Sequence, residues 1–315
     1  MRLLITRNLP PRVMEAARAR FDVTLREGID DPTPDELVSM LREYEVILCA
    51  IGDAFEAGVF AAAAGARTRL LANFGVGYEH IDVAAARAAG IAVTNTPGAV
   101  TDATADLAVS LILMAARRLG EGERLVRAGK WHGWRPDQML GAQVSGKRVG
   151  LIGMGKIGRA IAQRCHYGFG MDVVFYNRSP VADPGVPARQ VGFSAGMKAD
   201  FVVIAVAGGS ETRHLIDAAA LSLMQPQGIL VNVSRGTVID ENALIAALQQ
   251  GQIRAAGLDV YEFEPEVPEA LRRMENAVLL PHLGTACIEA REEMGFLALE
   301  NVIAYAEGRP LKTPV

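Results

Sequence analysis

Cysteine, basic runs, metal-binding patterns and long apolar stretches are all scarce or missing here, and each shortage removes a class of function. Only Cys49, Cys165 and Cys287 occur in 315 residues. An odd, widely spaced set does not make a disulfide framework. Each lies among apolar or helical residues, so the expectation is three reduced, buried thiols in a cytoplasmic protein. With no Cys-x-x-Cys pair and no His-Glu-x-x-His, a metal site has nothing to build on. His80, His132, His166 and His214 show no ligand spacing and read as structural. Lys and Arg number 32 against 36 Asp and Glu, for a formal charge of −4 with no basic run. Nothing there suits nucleic acid. No stretch has the length and apolarity of a membrane span, and the opening MRLLITRNLPPRV holds too short an apolar piece for a secretory signal. A serine hydrolase is excluded too, because Val233-Ser234-Arg235 lacks the first glycine of a nucleophile elbow.

What is present is a half-hydrophobic chain long enough for two domains and for large cores. From Met1 to about Pro97, short β-like runs (Leu3 to Thr6, Val23 to Leu25, Val46 to Ala50, Leu70 to Asn73, Ala92 to Thr94) alternate with helical ones. The helical runs lie near Arg12 to Ala19, Asp35 to Glu43, Ala57 to Ala64 and Val83 to Ala89. Such alternation predicts a parallel sheet flanked by helices. The Asn73-Phe-Gly-Val-Gly-Tyr78 loop follows a strand, where Val76 and Gly77 can turn bare N–H groups toward an anion; alone, it reads better as an ordinary glycine turn. Asn95-Thr-Pro-Gly98 marks a turn and a domain crossing. Thr101 to Arg118 then predicts one long helix, with Thr104 in its first turn either capping it or facing a ligand. The segment from Gly120 to Gly146 reads as a polar, irregular arm with Trp131 and Trp134, longer than a normal connection and suited to packing on a second subunit.

Lys147 to Ser179 organises the rest. Val149 to Ile152 reads as a buried strand, Gly153-Met-Gly155-Lys156-Ile157-Gly158 follows at once, a helix comes next, and Asp172 to Tyr176 reads as a second strand. That βαβ context makes the glycines a dinucleotide fingerprint. Gly153 permits the tight turn, Gly155 admits a pyrophosphate, and Gly158 lets the helix pack on the sheet. The helix N-terminus offers unpaired N–H groups to the phosphates. Where an NAD site would carry Asp or Glu for the ribose hydroxyls, this chain has Asn177-Arg178-Ser179. A carboxylate would repel a 2′-phosphate, whereas arginine attracts it. NADP is therefore expected, with NAD weaker; the alternative is that Arg178 only stacks on adenine and tolerates both.

Further strands at Phe201 to Val206, Ile229 to Val233, Ala255 to Leu258 and Ala277 to Leu280 complete an expected set of six. Ligands of open parallel sheets bind beyond the carboxyl ends of the strands. Three such ends here carry Ser234-Arg235-Gly236, Asp259 with Glu264, and Pro281-His282-Leu283-Gly284. Singly, each has a bland reading: a surface ion pair, a solvated acidic loop, a structural histidine. Delivered together beside a nicotinamide they suit hydride transfer to a 2-oxo acid. Arg235 would hold the substrate carboxylate and ketone oxygen, His282 would act as general acid, and Glu264 would favour the protonated imidazole. Glu289 to Glu307 predicts a final helix.

These motifs also carry a resemblance. The glycine fingerprint, Val233-Ser-Arg-Gly236, Gly257-Leu-Asp-Val-Tyr261 with Glu264 and Pro265, and Pro281-His-Leu-Gly284 resemble the D-isomer-specific 2-hydroxyacid dehydrogenases over nearly the whole chain. NFGVGYEHID, NTPGAVTDATADLA and LLPHLGTA are most similar to the NADP-dependent glyoxylate and hydroxypyruvate reductases, including the hydroxyphenylpyruvate type. The resemblance implies an α/β protein of two doubly wound, Rossmann-like domains. The substrate domain is discontinuous (residues 1–97 and 288–315) around a dinucleotide-binding domain (98–287). It implies Arg235, Glu264 and His282 as the catalytic set, with Val76 and Gly77 donating N–H groups to the substrate carboxylate. It also implies cofactor contacts from Thr104, from Gly153 and Gly155 to Gly158, from Asn177 to Ser179, from Val206 and Val233 to Arg235, and from Asp259, His282 and Gly284. Asp259 would approach the nicotinamide carboxamide. A homodimer through the dinucleotide domains is implied as well.

The pattern departs at Gln138, where some of these reductases place a third tryptophan, and Ala50-Ile51-Gly52 is small, so a roomier pocket for an aromatic 2-oxo acid is open. Phosphoglycerate dehydrogenases are disfavoured because many carry extra C-terminal sequence, and formate dehydrogenases because they place glutamine where Glu264 stands. A nucleotide-sensing, corepressor-like binding protein is the non-enzymatic alternative.

Overall fold

A computed structural model describes all residues, Met1–Val315. The chain divides into two compact units, one formed by Met1–Val100 with Ala286–Val315 and the other by Thr101–Thr285.

The first unit alternates strand and helix: β1 (Arg2–Ile5), α1 (Pro11–Arg18), β2 (Asp22–Leu25), α2 (Pro34–Glu43), β3 (Val46–Ala50), α3 (Ala57–Ala62), β4 (Leu70–Phe74), α4 (Val83–Ala88) and β5 (Ala92–Thr94). The strands form one five-stranded sheet in the order β2-β1-β3-β4-β5, and every pairing is parallel. Thr33 begins α2 through a capping box with Glu36, which is why Pro34 rather than Asp35 is its first residue.

The second unit opens on α5 (Thr101–Arg117) and α6 (Leu119–Arg127), then runs β6 (Arg148–Ile152), α7 (Lys156–Gln163), β7 (Asp172–Tyr176), β8 (Ala188–Gln190), α8 (Phe193–Met197) and β9 (Phe201–Ile204). It continues through α9 (Ala218–Ser222), β10 (Ile229–Asn232), α10 (Glu241–Gln249), β11 (Ala255–Leu258), α11 (Glu269–Arg272) and β12 (Ala277–Leu279). The last helix, α12 (Ile288–Ala306), returns to the first unit and packs on β4, β3 and α1.

Two expectations change here. The second sheet has seven strands, β12-β11-β10-β9-β6-β7-β8, not six. The extra strand, β8, is three residues long with two of them exposed, so it carries no apolar signal. The arm is not irregular throughout, because Arg118 takes a left-handed φ of 54° that ends α5 and starts α6.

Both faces of the second sheet are apolar, as a parallel sheet covered by helices requires. Alternate residues go to opposite sides: Val149, Leu151, Phe201, Val203 and Val231 pack with Leu111 and Ile112 of α5 on one face. Ile152, Val202, Ile204 and Leu230 pack with Leu244 and Leu248 of α10 on the other. Each fully buried leucine or isoleucine contributes roughly 1.5–3 kcal/mol relative to exposure. No helix is long and apolar enough to cross a membrane. The thiol expectation holds for Cys49 and Cys165 but not for Cys287, which is exposed where the chain leads into α12.

Candidate active site

All pairings of the second sheet are parallel, so its carboxyl strand ends lie on one edge. The order reverses at β6, which has β9 on one side and β7 on the other. That is the position where open α/β sheets form a ligand crevice.

The fingerprint loop leaves β6 at this switch point. Gly153 has φ +105°, and a Cβ on it would sit 2.5 Å from the Ala205 carbonyl oxygen. At Gly158 a Cβ would meet the Gly153 carbonyl oxygen at 2.3 Å. These two glycines therefore fold the loop tightly against β9 and α7. At Gly155, by contrast, a Cβ would meet nothing within 4 Å. The open side of the cradle faces out from the N-terminus of α7, whose first residues Lys156 and Ile157 are not buried. Bare backbone, free space and a helix N-terminus together fit a pyrophosphate.

At the end of β7, Asn177 Oδ1 accepts the Met154 N–H at 3.2 Å and its Nδ2 donates to the Ser179 carbonyl at 2.9 Å. Asn177 thus ties the turn after β7 to the glycine loop. Arg178 is exposed and pairs with Glu211, which stands after β9. Val206 also follows β9, and its carbonyl accepts the Ser234 hydroxyl at 2.5 Å. Val233 and Ser234 are buried beneath the same edge.

The turn after β10 presents Arg235. Asn232 fixes it from both sides: its Oδ1 accepts the Ser234 N–H at 3.0 Å and its Nδ2 donates to the Arg235 carbonyl at 2.9 Å. Gly236 follows because a Cβ there would fall 1.8 Å from the Tyr261 carbonyl. That close approach brings the β10 turn against the Val260–Pro265 loop.

Glu264 belongs to this loop and uses both oxygens. Oε1 accepts the Tyr261 N–H at 3.0 Å, and Oε2 lies 2.7 Å from His282 Nδ1. Burial pushes the Glu264 carboxyl up, but the hydrogen bond and charge of His282, the Tyr261 N–H and the nearby Arg235 outweigh it and hold the carboxyl below its ordinary value. The geometry holds Nδ1 toward the carboxylate, which leaves Nε2 as the outward nitrogen.

His282 sits on an unusual backbone, with φ +53°. Asp259 holds it there. The Asp259 carbonyl accepts the His282 N–H at 2.9 Å, while Oδ1 accepts from Leu283 at 2.6 Å and Oδ2 from Gly284 at 2.8 Å. Burial nevertheless raises the Asp259 carboxyl above its ordinary value. Asp259 was expected at the nicotinamide carboxamide, yet both its carboxylate oxygens already accept N–H groups of the histidine turn. Thr104 faces the same turn: its hydroxyl donates to the Gly284 carbonyl at 3.2 Å.

Two carboxylates escaped the sequence reading. Glu241, at the start of α10, accepts the Glu262 N–H at 2.9 Å and so supports the Glu264 loop from below. In sequence it is only an acidic residue after the helix cap Asp240. Glu262 in turn pairs with Arg213 and with His214, whose Nε2 lies 2.7 Å from its Oε1.

In the first unit, the turn carrying Val76 and Gly77 is fixed through its carbonyls. Asn73 Nδ2 donates to Gly75 at 3.1 Å and to Gly77 at 2.8 Å, and Asn95 Nδ2 donates to Val76 at 2.8 Å. In a trans peptide, C=O and N–H point oppositely. Carbonyls drawn inward at Gly75 and Val76 turn the N–H groups of Val76 and Gly77 outward.

Comparison with known proteins places the fold in a family. Residues 109–284 match the D-isomer specific 2-hydroxyacid dehydrogenase, NAD binding domain. A glyoxylate reductase from Thermococcus litoralis is 40% identical over 98% of this chain and 94% of its own. The crystal structure of the NADPH-dependent glyoxylate/hydroxypyruvate reductase from Sinorhizobium meliloti, in complex with NADP and malonate, is similar with a TM-score of 0.87. It is 35% identical, with 100% of this chain and 96% of that chain covered. A glyoxylate reductase from Paecilomyes thermophila gives a TM-score of 0.88 at 33% identity, covering 100% and 97%. With a matching domain across more than half its length and relatives of this identity along nearly all of it, the chain belongs to the D-isomer specific 2-hydroxyacid dehydrogenase family of oxidoreductases.

Proposed function

We propose that this enzyme reduces small 2-oxo acids, glyoxylate and hydroxypyruvate foremost, to D-2-hydroxy acids with NADPH. The observation that carries the reading is the 2.7 Å contact between His282 Nδ1 and Glu264 Oε2, on the same sheet edge as the glycine cradle. Bound NADPH supplies the hydride. Arg235 binds the substrate carboxylate and polarises the ketone, the backbone of its turn held by the Asn232 clamp. His282 donates the proton from Nε2 to the developing alkoxide, and Glu264 stabilises the imidazolium before transfer and orients the ring. Val76 and Gly77 donate their outward N–H groups to the substrate carboxylate. The choice of NADP rests on Arg178 in place of an acidic residue, and the S. meliloti relative bound to NADP supports it. A homodimer joined through the dinucleotide unit is part of the same reading.

The test is a panel of glyoxylate, hydroxypyruvate and hydroxyphenylpyruvate with NADPH and with NADH. Turnover of the two small acids, faster with NADPH, is expected. A preference for hydroxyphenylpyruvate would move the substrate to the aromatic class. No turnover with any of them would favour a nucleotide-binding protein without catalysis.

A further inference from the structure

The ion pair between Arg178 and Glu211 has a particular place in the fold. Arg178 follows β7 and Glu211 follows β9, and these two strands flank β6. The pair therefore spans the carboxyl end of the fingerprint strand, across the crevice the glycine loop opens. Both residues are held by their backbones. Gln190 Nε2 donates to the carbonyls of Asn177 and Ser179 on either side of Arg178, at 3.2 and 3.1 Å. Glu211 lies in a short 3-10 turn pinned by the Thr212 hydroxyl to the carbonyls of Ala207 at 2.8 Å and Gly209 at 3.3 Å. The side chains themselves are exposed, 82% for Arg178 and 76% for Glu211. Neither is needed for packing, so their pairing is available for change on ligand binding.

We propose that Glu211 tunes cofactor choice: it competes with a 2′-phosphate for Arg178, and it accepts a hydrogen bond from the 2′-hydroxyl when that phosphate is missing. The inference rests on the reading of Arg178 as the 2′-phosphate residue. A phosphate near Arg178 must displace a carboxylate of the same sign as itself, which lowers affinity for the phosphorylated ribose. An unphosphorylated ribose loses nothing to that repulsion and gains the acceptor that NAD sites ordinarily carry at the end of the second strand. Here the acceptor comes from the neighbouring strand end instead. Arg178 and Glu211 together thus make a site that favours NADPH without excluding NADH.

Isothermal titration calorimetry on the full chain tests this with 2′,5′-ADP and 5′-AMP, two fragments that differ only in the 2′-phosphate. Glu211→Gln keeps size and exposure while removing the charge. It should bind 2′,5′-ADP about 5-fold more tightly and 5′-AMP about 3-fold more weakly, so that the preference for the 2′-phosphate rises by roughly 15-fold. Arg178→Ala is the control for the underlying reading and should abolish the preference. If Arg178→Ala abolishes it but Glu211→Gln leaves both affinities within twofold of wild type, Glu211 has no such role and the NADPH reading stands. If Arg178→Ala leaves the preference intact, the NADPH reading fails and this inference fails with it. Thermal melts of both variants, expected to match wild type because both side chains are exposed, separate these outcomes from misfolding.

Discussion

His282 Nδ1 lies 2.7 Å from Glu264 Oε2, although the two residues are separated by 18 positions and stand on different loops. A carboxylate there keeps the ring oriented and its charged form stabilised, so the two should fail differently when replaced. His282→Ala removes the proton donor, and kcat should fall by roughly 10² or more. Glu264→Gln keeps the size but removes the charge and replaces one of the two acceptor oxygens by a donor; kcat should fall by roughly tenfold or more. The acid stability profile gives a second check. The Glu264 carboxyl is held below its ordinary value of 4.5 in the folded protein. A depressed folded value means that ionisation adds stability above the unfolded value, and that this is lost as pH falls through the folded one. The difference in Tm between wild type and Glu264→Gln should therefore shrink on acidification below about pH 4.5. A difference that stays constant or widens there would remove Glu264 from its role.

Asp259 is the support on which His282 stands. Its carbonyl and both carboxylate oxygens accept the three successive N–H groups of His282, Leu283 and Gly284. Asp259→Asn turns one acceptor into a donor facing an N–H, so the turn must shift and the imidazole with it. A displacement of about an ångström is enough to lose roughly 10²-fold in rate. The expected result is a fall in kcat of that order with NADPH affinity within about threefold of wild type, by fluorescence titration. A large loss of affinity with unchanged kcat would instead return Asp259 to the nicotinamide.

The division between what the sequence reveals and what it hides follows a physical line. The parallel sheets were legible because both faces of each strand are buried, which writes a continuous apolar run bounded by turns. The turns at Gly153, Arg235 and His282 could be singled out because each follows directly on one of those runs. What stayed hidden has no apolar partner. Strand β8 (Ala188–Gln190) is held by backbone pairing to β7, and α6 (Leu119–Arg127) buries no residue and contains two glycines. Glu211 and Glu241 matter through contacts made across many positions of sequence, which no local pattern encodes.

The glycines of the fingerprint separate folding from binding. Alanine at Gly153 would need φ +105° and would clash with the Ala205 carbonyl, so Gly153→Ala should lower stability by about 1–3 kcal/mol. Alanine at Gly155 meets no protein atom within 4 Å. Gly155→Ala should leave the melting profile near wild type, within about 0.5 kcal/mol. Its methyl group would stand where the pyrophosphate approaches, and NADPH affinity should fall by roughly tenfold or more. If Gly155→Ala bound NADPH normally, the cradle would lie elsewhere.

The remaining prediction concerns the arm. Within the single chain, Leu119, Val126, Trp131, Trp134 and Leu140 are all large apolar residues exposed by 48 to 79%. α6 buries none of its residues, so packing within one chain does not explain its place; an ion pair from Arg124 to Glu275 ties it to the turn before β12. Apolar surface of this extent on one segment calls for a partner, and a second copy of the chain supplies the same surface by two-fold symmetry. Light scattering coupled to size exclusion should give twice the 33.6 kDa chain mass. The double variant Val126→Glu, Leu140→Glu places charges in the contact without touching a buried side chain, and should shift the mass toward one chain while the far-ultraviolet spectrum stays unchanged. A wild-type protein that runs at the mass of a single chain at micromolar concentration would leave the arm without this role, and one whose dimer survives both glutamates would place the contact on another face.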